Sequence, residues 1–248
     1  MKTNHPLDPK RFQAVLFDLD GVLTATAKVH AAAWKQMFDA FLESWSRNHN
    51  QPFRAFDVET DYKLYVDGKS RYDGVVSFLE SRGIQLPYGD PQAPPDEGSV
   101  CGLGQHKDEL VQAILSRDGV EVYPGSIDLV RALRKLGVKT GVVSSSRNCQ
   151  TVLQAAHIED LFDVRVDGMV ADETGLPGKP GPDMFLFAAQ QLGVPPEHAV
   201  VVEDAIAGVQ AGKAGGFGLV VGIARSGEEA ALREAGADVV VTDLSVWM

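Results

Sequence analysis

Cysteine is scarce in this sequence: two residues in 248, Cys101 and Cys149. They match neither a metal-ligand spacing nor a disulfide framework, so a reduced, cytoplasmic setting is expected. Positive charge is also in deficit. Lys and Arg number 23 against 34 Asp and Glu, a formal net charge of −11. A nucleic-acid surface needs clustered basic residues, so no nucleic-acid partner is expected. An anionic small molecule is still allowed, because a local group of Lys and Arg works within an acidic protein. No apolar run reaches the roughly 18 residues that a membrane helix needs, and the first ten residues, MKTNHPLDPK, hold no apolar signal-peptide core. The expectation is therefore no membrane partner, a cytoplasmic protein and a monomer.

What is present is ordinary in bulk: 44% hydrophobic and 23% charged residues, the balance of a globular chain long enough for one large domain or two smaller ones. One stretch stands out. Ala14, Val15, Leu16 and Phe17 read as a buried strand, Asp18 and Asp20 follow where it ends, and Gly21 lets the backbone turn away. Side chains alternate along a strand, so both acids leave on one side while the extended geometry lasts. In an open α/β sheet that end is where ligands bind. Two carboxylates in one cleft repel, and a divalent cation is the simplest counter-charge. Taken alone, Asp-X-Asp-Gly is as readily a plain turn. A calcium loop is excluded, because its sixth and twelfth positions need Gly and Glu and hold Leu23 and Val29.

Residues 1–11 read as a loose tail and 12–17 as the first strand. Apolar spacing then predicts a helix over 26–42, a loop over 43–57, two helices within 62–84 broken at 67–69, a Pro/Gly loop over 88–98 and a helix over 107–116. From residue 124 the rhythm is α/β. Helices are expected at 127–136 (capped by Ser126), 148–156, 182–192, 208–214 and 228–235. Strands are expected at 138–143, 164–166, 199–202, 219–223 and 238–241. Alternation of this kind means a doubly wound parallel sheet, a Rossmann-like α/β core, with helices on both faces. The core is expected to comprise 1–26 and 111–248, with an all-helical cap domain, 27–110, inserted where a lid would sit.

Three further stretches lie at strand ends. Ser144, Ser145 and Ser146, followed by Arg147 and Asn148, open onto a helix, where hydroxyls and free N–H groups suit an anion; serines there also serve as plain caps. No Gly-X-Ser-X-Gly elbow surrounds them, which excludes the common serine-hydrolase arrangement. Lys179 sits on a stiffened Gly-Lys-Pro-Gly-Pro loop, where Pro180 favours extended backbone; the plain alternative is a solvated lysine. Glu203 and Asp204 end another apolar strand and suit a magnesium ion, or equally an acidic helix start. Together these make a phosphoryl-transfer set: a nucleophilic Asp, a second Asp, hydroxyl and amide donors, an ammonium group and a metal-binding acidic pair. Gly102-Leu103-Gly104 is a weak dinucleotide-loop signal and is set aside, because no strand precedes it and no third glycine follows.

The order DLDG, SSS, GKPGPD and VVEDA resembles the haloacid dehalogenase superfamily over nearly the whole chain. The helical insertion is similar to the cap of its β-phosphoglucomutase-like branch. His30 and Trp34 match a His-X-X-X-Trp pattern, and Gly68 and Arg71 a Gly-X-X-Arg loop. Lys107 is the one residue kept of an Arg-Lys-Asn segment. Ser146, Arg147 and Asn148 are similar to the Ser-Lys-Asn that holds a distal phosphate there. The chain departs from the branch at Ala25 (usually an acid), Arg147 (a Lys), Gly74 (a hydroxyl) and in a longer 43–57 loop.

The resemblance implies that Asp18 attacks phosphorus to give an aspartyl-phosphate, while Asp20, positioned by His30, serves as general acid and base. It implies Mg2+ held by Asp18 and the backbone carbonyl of Asp20, with Asp204 and Glu203 helping. Ser144, the Ser145 amide and Lys179 would stabilise the transferring group. Arg71 with Ser146, Arg147 and Asn148 would hold a second phosphate. The expected substrate is a sugar phosphate, and the expected reaction moves phosphate between C1 and C6 of glucose. A phosphatase of small phosphorylated metabolites is the alternative on the same scaffold. A non-catalytic phosphosugar-binding module is the alternative of another class, disfavoured by the intact Asp18 and Asp20 pair.

Overall fold

The computed structural model describes residues 7–92, 94–96, 98–225 and 227–248. Six strands form one parallel sheet: β1 (Ala14–Phe17), β2 (Lys139–Val143), β3 (Val164–Val166), β4 (Ala199–Glu203), β5 (Leu219–Ile223) and β6 (Val239–Val241), in the order β3-β2-β1-β4-β5-β6. Every residue of β1, β4 and β5 is buried, as expected of parallel strands covered on both faces and written as continuous apolar runs. The strand order reverses between β1 and β4, the position where doubly wound sheets bind ligands.

The helices in chain order are α1 (Ala27–Asn48), α2 (Arg71–Ser81), α3 (Val100–Asp118), α4 (Pro124–Lys135), α5 (Cys149–Ala155), α6 (Gly168–Thr174), α7 (Asp183–Leu192), α8 (Ile206–Ala214) and α9 (Glu229–Ala235). Two compact units result. One joins the chain up to Ala25 with Val120–Met248; the other is Thr26–Gly119. The boundary expected at 110/111 falls inside α3, which runs unbroken to Asp118. Among the described residues no helix is long and apolar enough to cross a membrane.

Several expectations need correction. The loose tail expected over 1–11 lies partly outside the described residues, at 1–6. From Leu7 the chain is fixed, with that side chain buried and the amides of Arg11 and Phe12 both donating to the Asp8 carbonyl at 2.9 Å. In the 88–98 loop, residues 93 and 97 also lie outside the described residues. The loop expected from residue 43 begins only after Asn48. Polar Glu43 and Arg47 are the solvent face of α1, whose other side buries Trp34, Met37, Phe38, Phe41 and Leu42. Helix α3 starts at Val100, with Ser99 capping the Gly102 amide, because Gly102 and Gly104 are buried against neighbours rather than turning. Tyr123, not Ser126, precedes α4, and Pro124 takes its first position. Helix α6 was not expected at all; Asp167 caps it, accepting from the Met169 and Val170 amides.

The helical unit has its own core, in which the Phe38 ring packs at 4.2 Å from Phe78 and 5.2 Å from Phe56, centroid to centroid. Residues Val58–Val66 form a wide π-helical turn, with Asp67 donating to Tyr62 five residues back. Arg82 secures this turn. Its guanidinium reaches Asp61 at 2.5 Å and the carbonyls of Arg54 and Ala55, and both charged side chains are 9% exposed. Removing one partner of a buried pair strands the other. Arg82→Ala is therefore expected to cost about 3 kcal/mol in denaturant unfolding. Arg233→Ala, which breaks an exposed pair with Glu229, should cost less than about 1 kcal/mol.

Candidate active site

Strand register builds the site. Phe17 pairs with Val142 on one side and with Val202 on the other. The next residue of each strand, Asp18, Val143 and Glu203, therefore lies in one row. Paired residues of parallel strands point to the same face, which puts two carboxylates side by side. Lys179 answers them. Its Nζ donates to Asp18 Oδ1 at 2.6 Å, to Glu203 Oε1 at 2.5 Å and to the Val143 carbonyl at 3.0 Å. All three donor positions of the ammonium are used, and the Nζ also lies 4.9 Å from the Phe185 ring centroid. Lys179 is held by a loop whose Lys179–Pro180 peptide is cis, and α7 follows directly.

The electrostatics follow from burial. Burial alone would lower the Lys179 ammonium, but Asp18 and Glu203 outweigh it and hold it above its ordinary value. Burial drives the Asp18 carboxyl well up from the usual range, against the pull of Lys179, and Glu203 and Asp20 push it further up. Asp18 and Glu203 share one ammonium, Asp204 adds a third carboxylate beside them, and Asp20 acts on Asp18 from the adjoining loop without joining that cluster, so carboxylates outnumber the cation.

That excess fits a divalent cation. Asp18, Glu203 and Asp204 each offer a carboxylate oxygen within 4.8 Å of the others, an all-oxygen donor set of the kind that suits Mg2+. The two adjacent acids divide the work. Glu203 is committed, with Oε1 on Lys179 and Oε2 accepting from the amides of Asp204 and Ala205 at 3.1 and 3.3 Å. It braces the turn that presents Asp204. Two glycines admit these carboxylates: a Cβ on Gly208 would overlap Glu203, and one on Gly21, whose φ is +88°, would overlap Asp204. The sequence marks Gly21 only as a turn and gives no signal for Gly208, because the space each leaves is filled by a side chain from another element.

The serine loop lies at the end of β2. Ser144 is buried, and its Oγ accepts the Ser146 amide at 3.1 Å; Ser146 Oγ accepts the Asn148 amide at 3.1 Å. Ser145, Arg147 and Asn148 are half-buried. Arg147 forms an ion pair with Asp172 of α6, a partner that the sequence reading did not supply because it missed that helix.

The helical unit gathers its own set. Lys107 Nζ lies 2.7 Å from His30 Nδ1 and 4.9 Å from the Trp34 ring centroid. An ammonium can only donate, so Nδ1 accepts and the ring proton of His30 sits on Nε2. Trp34 stacks on Phe38 at 5.2 Å, and Gly74 faces the indole, where a Cβ would come within 3.1 Å. The glycine gives the tryptophan room. Arg71 binds Asp108 at 2.8 Å and Gln105 at 3.4 Å. Gly68, at φ +72°, turns the chain into α2.

Comparison with known proteins identifies the family and the fold. The family model for haloacid dehalogenase-like hydrolases matches residues 12–216. The beta-phosphoglucomutase of Mycobacterium bovis is 48% identical over 240 residues, 96% of this chain and 92% of that protein. The structure of beta-phosphoglucomutase from Clostridium difficile has a TM-score of 0.72 at 24% identity, covers 95% of this chain and 92% of that chain, and shares the fold. CbbY from Rhodobacter sphaeroides, solved in complex with xylulose-(1,5)bisphosphate, has a TM-score of 0.68 at 26% identity over 94% of this chain and 95% of that one.

The brace makes a testable demand on Gly208. Gly208→Ala should force Glu203 off its partners, lowering stability by about 2 kcal/mol through overpacking. It should also lower phosphate-ester turnover about 10-fold or more through the displaced row. Thermal melts and a phosphate-release assay check the two effects.

Proposed function

The chain belongs to the haloacid dehalogenase-like hydrolases, and from that premise we propose that it is a Mg2+-dependent sugar-phosphate enzyme that interconverts β-glucose 1-phosphate and glucose 6-phosphate. That it is an enzyme of the phosphoglucomutase or phosphatase type follows from the family and from the 48% identity to the beta-phosphoglucomutase of Mycobacterium bovis. The observation that carries the mechanism is Lys179, bound at once to Asp18 and Glu203.

An oxygen of Asp18 attacks phosphorus in line as the ester oxygen leaves, giving an aspartyl-phosphate. Asp20, in the loop just past β1, gives a proton to the leaving oxygen and later takes one from the entering hydroxyl. Lys179 keeps the Asp18 carboxylate aimed and offsets charge on the transferring group, with Ser144 and the Ser145 amide as further donors. Asp18 and Asp204, with the backbone carbonyl of Asp20, would hold Mg2+, and Glu203 orients Asp204. When bound, the ion supplies positive charge that favours ionised Asp18 and draws charge from the phosphoryl oxygens. In the helical unit, Lys107, His30 and Trp34 present a cation, an N–H donor and an indole, groups suited to a phosphorylated sugar.

One observation favours the second reading, a phosphatase. The two arginines suited to a distal phosphate, Arg71 and Arg147, are each paired with an aspartate, Asp108 and Asp172. Each aspartate already offsets the charge that a second phosphate would use, whereas a monophosphate makes no such demand.

Incubation with β-glucose 1-phosphate and a trace of β-glucose 1,6-bisphosphate separates the readings. We expect glucose 6-phosphate with little inorganic phosphate; phosphate release without glucose 6-phosphate would establish the phosphatase instead. Asp18→Asn should lower turnover by about 10³-fold or more, as loss of a covalent nucleophile does. Chelation should abolish turnover and Mg2+ restore it; activity that survives either treatment contradicts the mechanism.

A further inference from the structure

The loop that carries Asp20 closes on itself almost completely. The Gly21 amide donates to Thr24 O at 2.7 Å, and the amides of Leu23 and Thr24 donate to Leu19 O at 2.9 and 3.0 Å. Thr24 Oγ1 donates to the same carbonyl at 3.2 Å. Two carbonyls are met by the stretch around the start of α4: Leu23 O accepts the Tyr123 amide at 2.9 Å, and Val22 O accepts Ser126 Oγ at 2.6 Å. The Gly21 carbonyl, immediately after Asp20, is met from outside the loop. Buried backbone acceptors need a donor, and this one is Arg225, whose Nε lies 2.8 Å away.

Arg225 enters from the turn after β5 and is itself fixed on every side. Its Nη2 reaches Val22 O at 3.5 Å, its Nη1 reaches Asp243 Oδ2 at 3.1 Å, and its Cζ lies 3.4 Å from the Tyr123 ring centroid. Burial would raise the Asp243 carboxyl, but its bonds to Ser245 and Arg225 hold it below the usual range, so the guanidinium has a charged anchor. Gly21 is thus held between the Asp204 carboxylate, which fills the space of a missing Cβ, and Arg225 on its carbonyl.

We infer that Arg225 is a positioning residue for Asp20: by fixing the Gly21 carbonyl it fixes the direction in which the neighbouring carboxyl offers its proton. This rests on the roles given above to Asp18 and Asp20. In the step concerned, an Asp18 oxygen bonds to phosphorus and the ester P–O bond breaks. Its electron pair stays on the leaving oxygen, which takes the proton from Asp20. A sugar alkoxide needs that proton; a nitrophenolate leaves without it. Loss of Arg225 should therefore be felt by one class of phosphate donor and not by the other. A Lys would substitute only in part, because one ammonium does not reproduce the planar fork that meets the two carbonyls and Asp243.

The test is single-turnover phosphorylation of the protein, with Mg2+, by β-glucose 1,6-bisphosphate and by p-nitrophenyl phosphate. Arg225→Ala should slow transfer from the sugar phosphate about 10- to 100-fold while slowing transfer from p-nitrophenyl phosphate less than about threefold. Arg225→Lys and Asp243→Asn should show the same selectivity at smaller amplitude, and they carry the comparison if Arg225→Ala does not fold. Equal slowing of both donors, or of neither, in variants of an active wild type overturns the inference alone. A wild-type protein that takes phosphate from neither donor overturns the proposed function and this inference with it.

Discussion

The site depends on one ammonium group placed between two strands. Register brings Asp18 and Glu203 level on neighbouring strands, and nothing apolar can fill the gap between two buried carboxylates. Lys179 fills it, with its third proton on the Val143 carbonyl of the strand beyond. The three central strands, β2, β1 and β4, are thereby tied at their carboxyl ends by a charged cluster, whereas their bodies are held by the packing of Leu16, Val201 and Phe185. A buried pair of this kind adds little net stability, since desolvation offsets the Coulombic gain. It gives geometry: Asp18, Glu203 and, through the turn that Glu203 braces, Asp204 are set by one ammonium. Gly21 and Gly208 serve the same end by leaving room for the carboxylates.

The strands and the α/β rhythm were legible from the sequence because parallel strands buried on both faces are continuous apolar runs. Val164–Val166 and Leu219–Ile223 were read to the residue. Helices were less legible where their signal was not apolar periodicity. Polar residues at the end of α1 looked like loop, the glycines of α3 looked like turns, and α6 is seven residues whose cap, Asp167, does the specifying. At the site, Asp18, Lys179 and Glu203 were named from the sequence and lie in one hydrogen-bonded cluster. What could not be read was how charges are distributed among them. Glu203 is a brace, Arg147 and Arg71 are paired, and Gly74 serves Trp34. Each of these depends on a neighbour distant in sequence. Arg225 is the extreme case, with its target carbonyl 204 positions away.

Chemistry and selectivity are divided between the two units. In the proposed reading the sheet carries groups that would act on any phosphoryl ester: a carboxylate nucleophile, an acid, an ammonium and an ion site. The helical unit carries an ammonium in contact with an imidazole and an indole, groups proposed above to meet a phosphorylated sugar. Mutase and phosphatase differ only in whether a sugar hydroxyl or water meets the aspartyl-phosphate, so residues outside the Lys179 cluster decide between them.

The account stands on the Asp18 carboxylate as the group that receives phosphate. Acid quenching during turnover, followed by peptide mass mapping, tests it most directly. The account predicts a single phosphoryl group on Asp18, in the peptide containing residues 14–24. A phosphoryl group on any other residue, or turnover with no labelled peptide at any quench time, would contradict it.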